Sequence, residues 1–273
     1  MAAPAANAPS NLLVRTISAL VLAPIVLALI YLGGAPFAVL LALAGVAMTY
    51  EWDRLCGGSG YSAPAIVHGA VVIAVAAMAD EANAIGALAA IALGAGAAAV
   101  VAQRLTRPAL WQGAGVVYVT LPILALVLLR GDPVDGRAVV LWLFGVVWAT
   151  DIGGYVVGRA IGGPKLTRIS PNKTWSGLAG AIAFAAAAGT AIAVALAMGP
   201  WVRFAAFAAM LGLIAQAGDI GESWLKRRRA VKDSGSLIPG HGGILDRVDG
   251  LMTAAPAMAL MALVHPGTGM AWR

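Results

Sequence analysis

The sequence is short of charge, of cysteine and of any polar stretch that could fold in water. Only 11% of its 273 residues are Asp, Glu, Lys or Arg, against about a quarter in soluble domains. The single cysteine, Cys56, excludes an intramolecular disulfide and a multi-cysteine metal site; it reads as a small residue near a helix end. Between Leu12 and Val264 no polar block is long enough to form a domain of its own, so residues 1–273 read as one polytopic domain. A P-loop is absent too. In GRAIGGPK, Gly158–Lys165, Pro164 interrupts the required Gly-Lys pair and neither Ser nor Thr follows Lys165. What the chain has instead is hydrocarbon: 61% of its residues are hydrophobic and the mean hydropathy is +0.88.

A spanning helix needs about 20 apolar residues, fewer where neighbours bury its ends. Apolar runs lie near Leu12–Leu32, Pro36–Tyr50, Ile66–Ala79, Ile85–Ala102, Gly115–Leu129, Val139–Val157, Leu178–Met198, Phe204–Ala217 and Leu251–Val264. An all-α membrane bundle of about nine transmembrane helices is therefore predicted. The first run is longer than a signal-peptide core and lacks a small-residue cleavage site, so it is expected to be retained as a span. Many spans are rich in Ala and Gly, which lets helices approach closely.

Cations distinguish the two ends of such a bundle, because cytoplasmic loops carry the excess of Lys and Arg. With the N-terminus inside and the C-terminus outside, all 18 Lys and Arg fall on the cytoplasmic side except Arg130, Arg137, Arg203 and Arg273. The net charge of +6 thus reflects loops at a membrane surface, and a nucleic-acid partner is not expected.

Two of those loops concentrate the remaining polar chemistry: Asp151–Gly177 and Gly218–Gly250, both on the cytoplasmic side. Asp151 and Asp219 each follow an apolar run, and Glu222 would share a helical face with Asp219. Asp246 and Asp249 stand i, i+3 just before the last span, where helix capping is the plain alternative. Four aspartates at one interface make a set of hard oxygen donors suited to Mg²⁺, which shares its coordination with water and substrate phosphates. Lys165, Arg168, Lys173, Lys232 and the Lys226–Arg229 run supply positive charge for phosphates; successive Arg227, Arg228 and Arg229 cannot all face one ligand, and setting topology or touching anionic lipid explains them equally well. Gly240–Gly243, GHGG, exposes backbone N–H groups around His241, for which a phosphate contact is the expected role. His68 and His265 lie away from the cluster.

The run SWLKRRRAVKDSGSLIPGHGGILDRVD, Ser223 to Asp249, resembles the signature of the phosphatidate cytidylyltransferases, also called CDP-diacylglycerol synthases. The resemblance reaches upstream through Asp151 and Gly154–Tyr155 to SPNKTWSG, Ser170–Gly177; it covers the C-terminal half, residues 139–264, while residues 1–110 share only hydropathy. It implies transfer of CMP from CTP to phosphatidic acid, giving CDP-diacylglycerol and pyrophosphate at the cytoplasmic face of an inner membrane. It also implies a divalent cation, Mg²⁺, held by Asp219, Asp246 and Asp249, with room for a second, monovalent one. Ser170, Lys173, Lys232, His241 and Arg247 would hold substrate phosphates, with Asp151 beside them. Ser176 stands where many members carry Glu or Gln, which leaves a direct role for that position open. A homodimer is compatible with this reading, though nothing in the sequence requires one.

A polytopic ion or solute transporter is the alternative from another class, but it predicts charges spread through the span centres. A CDP-alcohol phosphotransferase is expected to show a D-G-x-x-A-R run, and this chain has none.

Overall fold

The computed structural model describes residues 11–229, 231–235, 237 and 242–264. Among them nine helices follow one another: α1 (Asn11–Leu32), α2 (Gly34–Leu55), α3 (Ala63–Asp80), α4 (Ala84–Arg104), α5 (Ala109–Gly131), α6 (Gly136–Ile161), α7 (Trp175–Ala195), α8 (Trp201–Arg228) and α9 (Leu245–Val264). Eight of these are long and apolar enough to cross a membrane; in α1 the described apolar stretch is the shorter Leu20–Leu32. No strand occurs among the described residues, only an isolated bridge between Lys165 and Thr174. The protein is a polytopic all-α bundle, as its hydropathy predicts. In hydrocarbon each backbone N–H must find its acceptor within the segment, and the helix does that at any sequence that tolerates it.

The helices outrun the apolar runs that announce them. The run Phe204–Ala217 is the middle of the 28-residue α8, and Leu251–Val264 is the end of α9. At about 1.5 Å per residue α8 is about 42 Å long, well beyond a hydrocarbon core of about 30 Å. The reason is that Asp219, Glu222, Lys226 and Arg228 interrupt hydropathy without interrupting helix: each can make its backbone bond and aim its side chain elsewhere. The loops expected at 151–177 and 218–250 are accordingly much shorter, and Asp151, Asp219, Asp246 and Asp249 are all helical.

The antiparallel course brings the C-terminal ends of α2, α6 and α8 and the N-terminal ends of α7 and α9 to one end of the bundle. Contacts prove this end: Glu51 of α2 meets the amides of Ile244 and Leu245, and Lys173 before α7 meets Asp219 of α8. At the opposite end, Arg130 donates to the carbonyls of Ile30 and Tyr31 at 2.6 and 2.9 Å, and Arg137 stacks on Tyr31.

Helices α6 and α7 form the tightest pair. A Cβ on Gly153 would stand 2.6 Å from the carbonyl oxygen of Gly180, and one on Gly177 would stand 3.0 Å from that of Gly154. Such backbone contact is open only to glycine, and it fixes the two walls that carry Asp151 and Lys173. Deeper in the same interface the buried Trp142 indole donates to the Gly189 carbonyl at 2.7 Å and meets the Phe204 ring edge-on.

Candidate active site

The connection between α6 and α7 is built as a short hairpin. Gly162 and Gly163 take positive φ after α6, Leu166 N–H bonds the Lys173 carbonyl at 2.8 Å, and Lys173 N–H closes on the Ser170 carbonyl at 3.0 Å. Ser-Pro-Asn-Lys is thus a turn with proline at its second position, where the fixed φ suits it. Thr174 then caps α7, accepting from Gly177 N–H at 3.1 Å. Ser176 ties the hairpin shut: its hydroxyl donates to the Gly162 carbonyl and lies 3.0 Å from Thr174 Oγ1. The role of Ser176 here is to hold the loop.

Between this hairpin and the ends of α6, α8 and α9 lies an open cleft of about 410 Å³. Asp151, Asp219, Asp246 and Asp249 border it, with Ser170, Lys173 and Arg247. The structure therefore brings together seven of the residues singled out from sequence. Lys232 is exposed and does not line the cleft. His241 lies outside the described residues, as does His265. His68 is buried in α3 and bonds the Gln112 carbonyl at 2.7 Å, a structural contact.

The cleft carboxylates differ in how they are compensated. Asp219 forms an ion pair of 2.5 Å with Lys173, whose ammonium also donates to Gln216 at 2.9 Å. Asp246 accepts from Lys226 at 2.6 Å, and from Ser234 N–H at 2.8 Å and Gly243 N–H at 3.0 Å. Among the described residues Asp249 receives only its neighbour's amide, Gly250 N–H, at 2.7 Å, while Asp219, Glu222 and Asp151 all repel it. Asp151 makes no hydrogen bond or ion pair among the described residues; it feels the repulsion of Asp219 and the attraction of Lys173 and Arg247. Several carboxylates at a membrane boundary with so few cations are costly.

Among the described residues no group of three or more His, Cys, Asp or Glu is gathered closely enough to hold a metal ion by itself. The donor set nevertheless fits a hard divalent cation of the kind that keeps most of its positions for water and phosphate. Asp151 and Asp249 border the cleft with no cation paired to either among the described residues, and the surplus negative charge asks for a counter-ion.

Four contributors have roles that the sequence does not reveal. Glu222 is expected to face the same way as Asp219, but it is buried and turns to Lys226, 3.1 Å away, and to the Tyr118 hydroxyl at 3.4 Å. Only a 100° step per residue separates neighbours on a helix, so i, i+3 positions diverge by about 60°, enough to put them on different sides of a wall. Lys226, one of a run of four cations, is buried and bridges Glu222 to Asp246. Gln216 orients Lys173. Glu51, in the helix furthest upstream of these, reaches the start of α9. A glutamate amid the aromatic Tyr50 and Trp52 near a span end was the available signal for it.

The cytidylyltransferase family profile matches residues 13–265. The chain belongs to the cytidylyltransferase family. A phosphatidate cytidylyltransferase of Brucella suis is 42% identical over 260 residues, 93% of this chain and 94% of the relative. Proteins of the same name from Rickettsia bellii and Mycobacterium leprae are 36% and 42% identical over 53% and 49% of this chain, or 65% and 43% of their own lengths. Family membership makes the protein a nucleotidyltransferase, and the transport reading is left without support.

Proposed function

We propose that this chain is a phosphatidate cytidylyltransferase: it transfers CMP from CTP to phosphatidic acid, giving CDP-diacylglycerol and pyrophosphate, a step of phospholipid biosynthesis. The observation that carries this reading is the cleft itself, cationic at Lys173 and Arg247, carboxylate-rich at Asp151, Asp219 and Asp249, and set at the end of a membrane bundle in a chain similar to such an enzyme over 93% of its length.

An oxygen of the lipid phosphate attacks the α-phosphorus of CTP; a new P–O–P bond forms as the bond to the β,γ-pyrophosphate breaks, and pyrophosphate departs with the electron pair. The attacking phosphate is already ionised, so no base is required, and the difficulty is bringing two anions together. Lys173 and Arg247 supply positive charge to the substrate phosphates, and Ser170 a hydroxyl donor. Gln216 holds the Lys173 ammonium at the cleft wall. The residues that would hold Mg²⁺ are Asp219 and Asp249, with Asp246 and Asp151 beside them, and a second, monovalent cation would be met by the same surplus of carboxylate. Bound there, the metal supplies charge neutralisation at the phosphate oxygens. Asp246, saturated by Lys226, Ser234 and Gly243, serves first to fix this wall. We place the cleft on the cytoplasmic side of an inner membrane, where CTP is found and where the cation excess would lie. The C-terminus then faces outward, which paired reporter fusions at Arg273 test: a periplasmic reporter is active and a cytoplasmic one is not. The assembly to test first is a homodimer, by native mass spectrometry from detergent.

Purified protein in detergent, given labelled CTP, phosphatidic acid and Mg²⁺, is expected to form CDP-diacylglycerol. Absence of product where a known synthase is active overturns the reading.

A further inference from the structure

The first residues of α9 carry three cleft residues, Asp246, Arg247 and Asp249, yet the local sequence Gly-Gly-Ile-Leu offers no side-chain acceptor at Ile244, the position before the helix. A helix start leaves amides that need acceptors. Here the acceptor comes from α2, far away in sequence. Glu51 is fully buried; its Oε1 accepts from Ile244 N–H at 2.9 Å, and its Oε2 from Leu245 N–H at 3.0 Å and from the Ser234 hydroxyl at 3.1 Å. A Cβ on Gly235 or Gly243 would lie 2.7 Å from the Glu51 carboxylate, so a side chain at either position would have to displace it. Ser234 joins the two acidic centres. Its amide donates to Asp246 Oδ2 at 2.8 Å, and its hydroxyl lies within reach of both Asp246 and Glu51.

Glu51 does not line the cleft. A buried carboxylate is expensive unless each oxygen is satisfied, and among the described residues its hydrogen bonds all come from the segment that leads into α9. We infer that Glu51 is a positioning residue of the transfer reaction: it fixes the register of the α9 start, and with it Asp246, Arg247 and Asp249, so that the N-terminal helices govern the cleft without entering it. The inference rests on the reading of the cleft given above, but its main test does not require turnover.

The variant Glu51→Gln keeps the volume and one acceptor oxygen while turning an NH₂ group onto one of the two amides. Hydrogen exchange of the peptide spanning residues 242–250, in detergent, is expected to be at least about tenfold faster than in the parent, with the α3 and α4 peptides unchanged. In the same preparation kcat/KM for CTP is expected to fall by about tenfold to a hundredfold, since small misplacement of reacting groups carries costs of that order. Ser234→Ala, which leaves both backbone bonds to Glu51 intact, is expected to move both readouts the same way by less. If Glu51→Gln does not fold, Glu51→Asp, which keeps the charge but draws the carboxylate back from both amides, replaces it with the same expected and overturning results; Ser234→Ala also removes a contact to Asp246 and is read only beside it. Unchanged exchange in the folded variant overturns the inference, and so does fast exchange with parental kcat/KM, which would make Glu51 a purely structural cap. If the parent protein makes no product, the functional reading falls, and the exchange arm still decides whether Glu51 holds α9.

Discussion

Two aspartates at the same end of the bundle, Asp53 and Asp249, have opposite surroundings. Asp53, at the end of α2, is fully buried and fully met: Gly60 N–H at 2.9 Å, the Ser62 hydroxyl at 2.6 Å, the Gln112 amide at 3.0 Å and Arg107 at 3.5 Å surround it. Asp249 has one adjacent amide and three repelling carboxylates. A carboxylate at a membrane boundary can be retained because it organises loops or because something else completes it. Asp53 is of the first kind, pinning the α2–α3 and α4–α5 connections together. Asp249 is of the second, and the missing partners are expected to arrive with the substrate.

The sharpest way to break that distinction is to neutralise each carboxylate without changing its size. Asp249→Asn is expected to lower kcat by at least about a hundredfold, because an amide holds a hard cation far less well than a carboxylate and the charge neutralisation that cation would bring to the phosphates is lost. Its thermal unfolding temperature should stay level or rise, because repulsion is relieved. Asp53→Asn is expected to do the reverse: activity per folded molecule close to the parent, but stability lower by about 1–3 kcal/mol, since a charged acceptor of four donors is weakened. If Asp53→Asn loses activity at full stability, or if Asp249→Asn unfolds the protein, the division between structural and functional carboxylates is wrong. Activity and unfolding measured on the same preparations decide it.

That division could not have been drawn from sequence. Hydropathy reveals the helices and their alternation, because the period of apolar runs is a local property; Asp151, Asp219, Asp246 and Asp249 stand out because charge is rare in this chain. The ends of the helices were not legible, since Asp219 and Lys226 stop an apolar run but continue a helix. Nor were the partners. Glu51 meets Leu245 across 194 positions, and Lys226 looks like Arg227, Arg228 and Arg229 until packing buries one of the four and leaves Arg227 and Arg228 outside. Spacing identifies which residues are unusual, whereas satisfaction, which decides their role, is a property of the assembled bundle.

A milder perturbation tests the cationic wall against the same contrast. Lys173→Met removes the ammonium that pairs with Asp219 and Gln216, and is expected to raise KM for CTP by about tenfold, the loss of one charge-assisted phosphate contact. Gln216→Ala leaves the charge but frees its direction, and a rise of about threefold is expected from the loss of one hydrogen bond. An effect of Gln216→Ala equal to that of Lys173→Met would mean that orientation, and not charge, is what the wall contributes.

The smallest expected signal comes from the structural side. Cys56 closes α2 three residues after Asp53 and is buried; burial pushes its thiol up to about 11, with the nearby Arg229 pulling the other way. A thiol raised that far is almost wholly protonated at neutral pH, and only the thiolate reacts. Maleimide is therefore expected to leave Cys56 unlabelled in the folded protein over an hour at pH 7 and to label it fully once the protein is unfolded. The Asp53→Asn variant gives this measurement its use. If Asp53 organises the α2–α3 connection, loosening it exposes Cys56, and labelling of the folded variant speeds up; in Asp249→Asn it stays as slow as in the parent. Equal rates in the two variants would mean that Asp53 holds nothing in place around the thiol, and that its four hydrogen bonds satisfy the charge without building the loop.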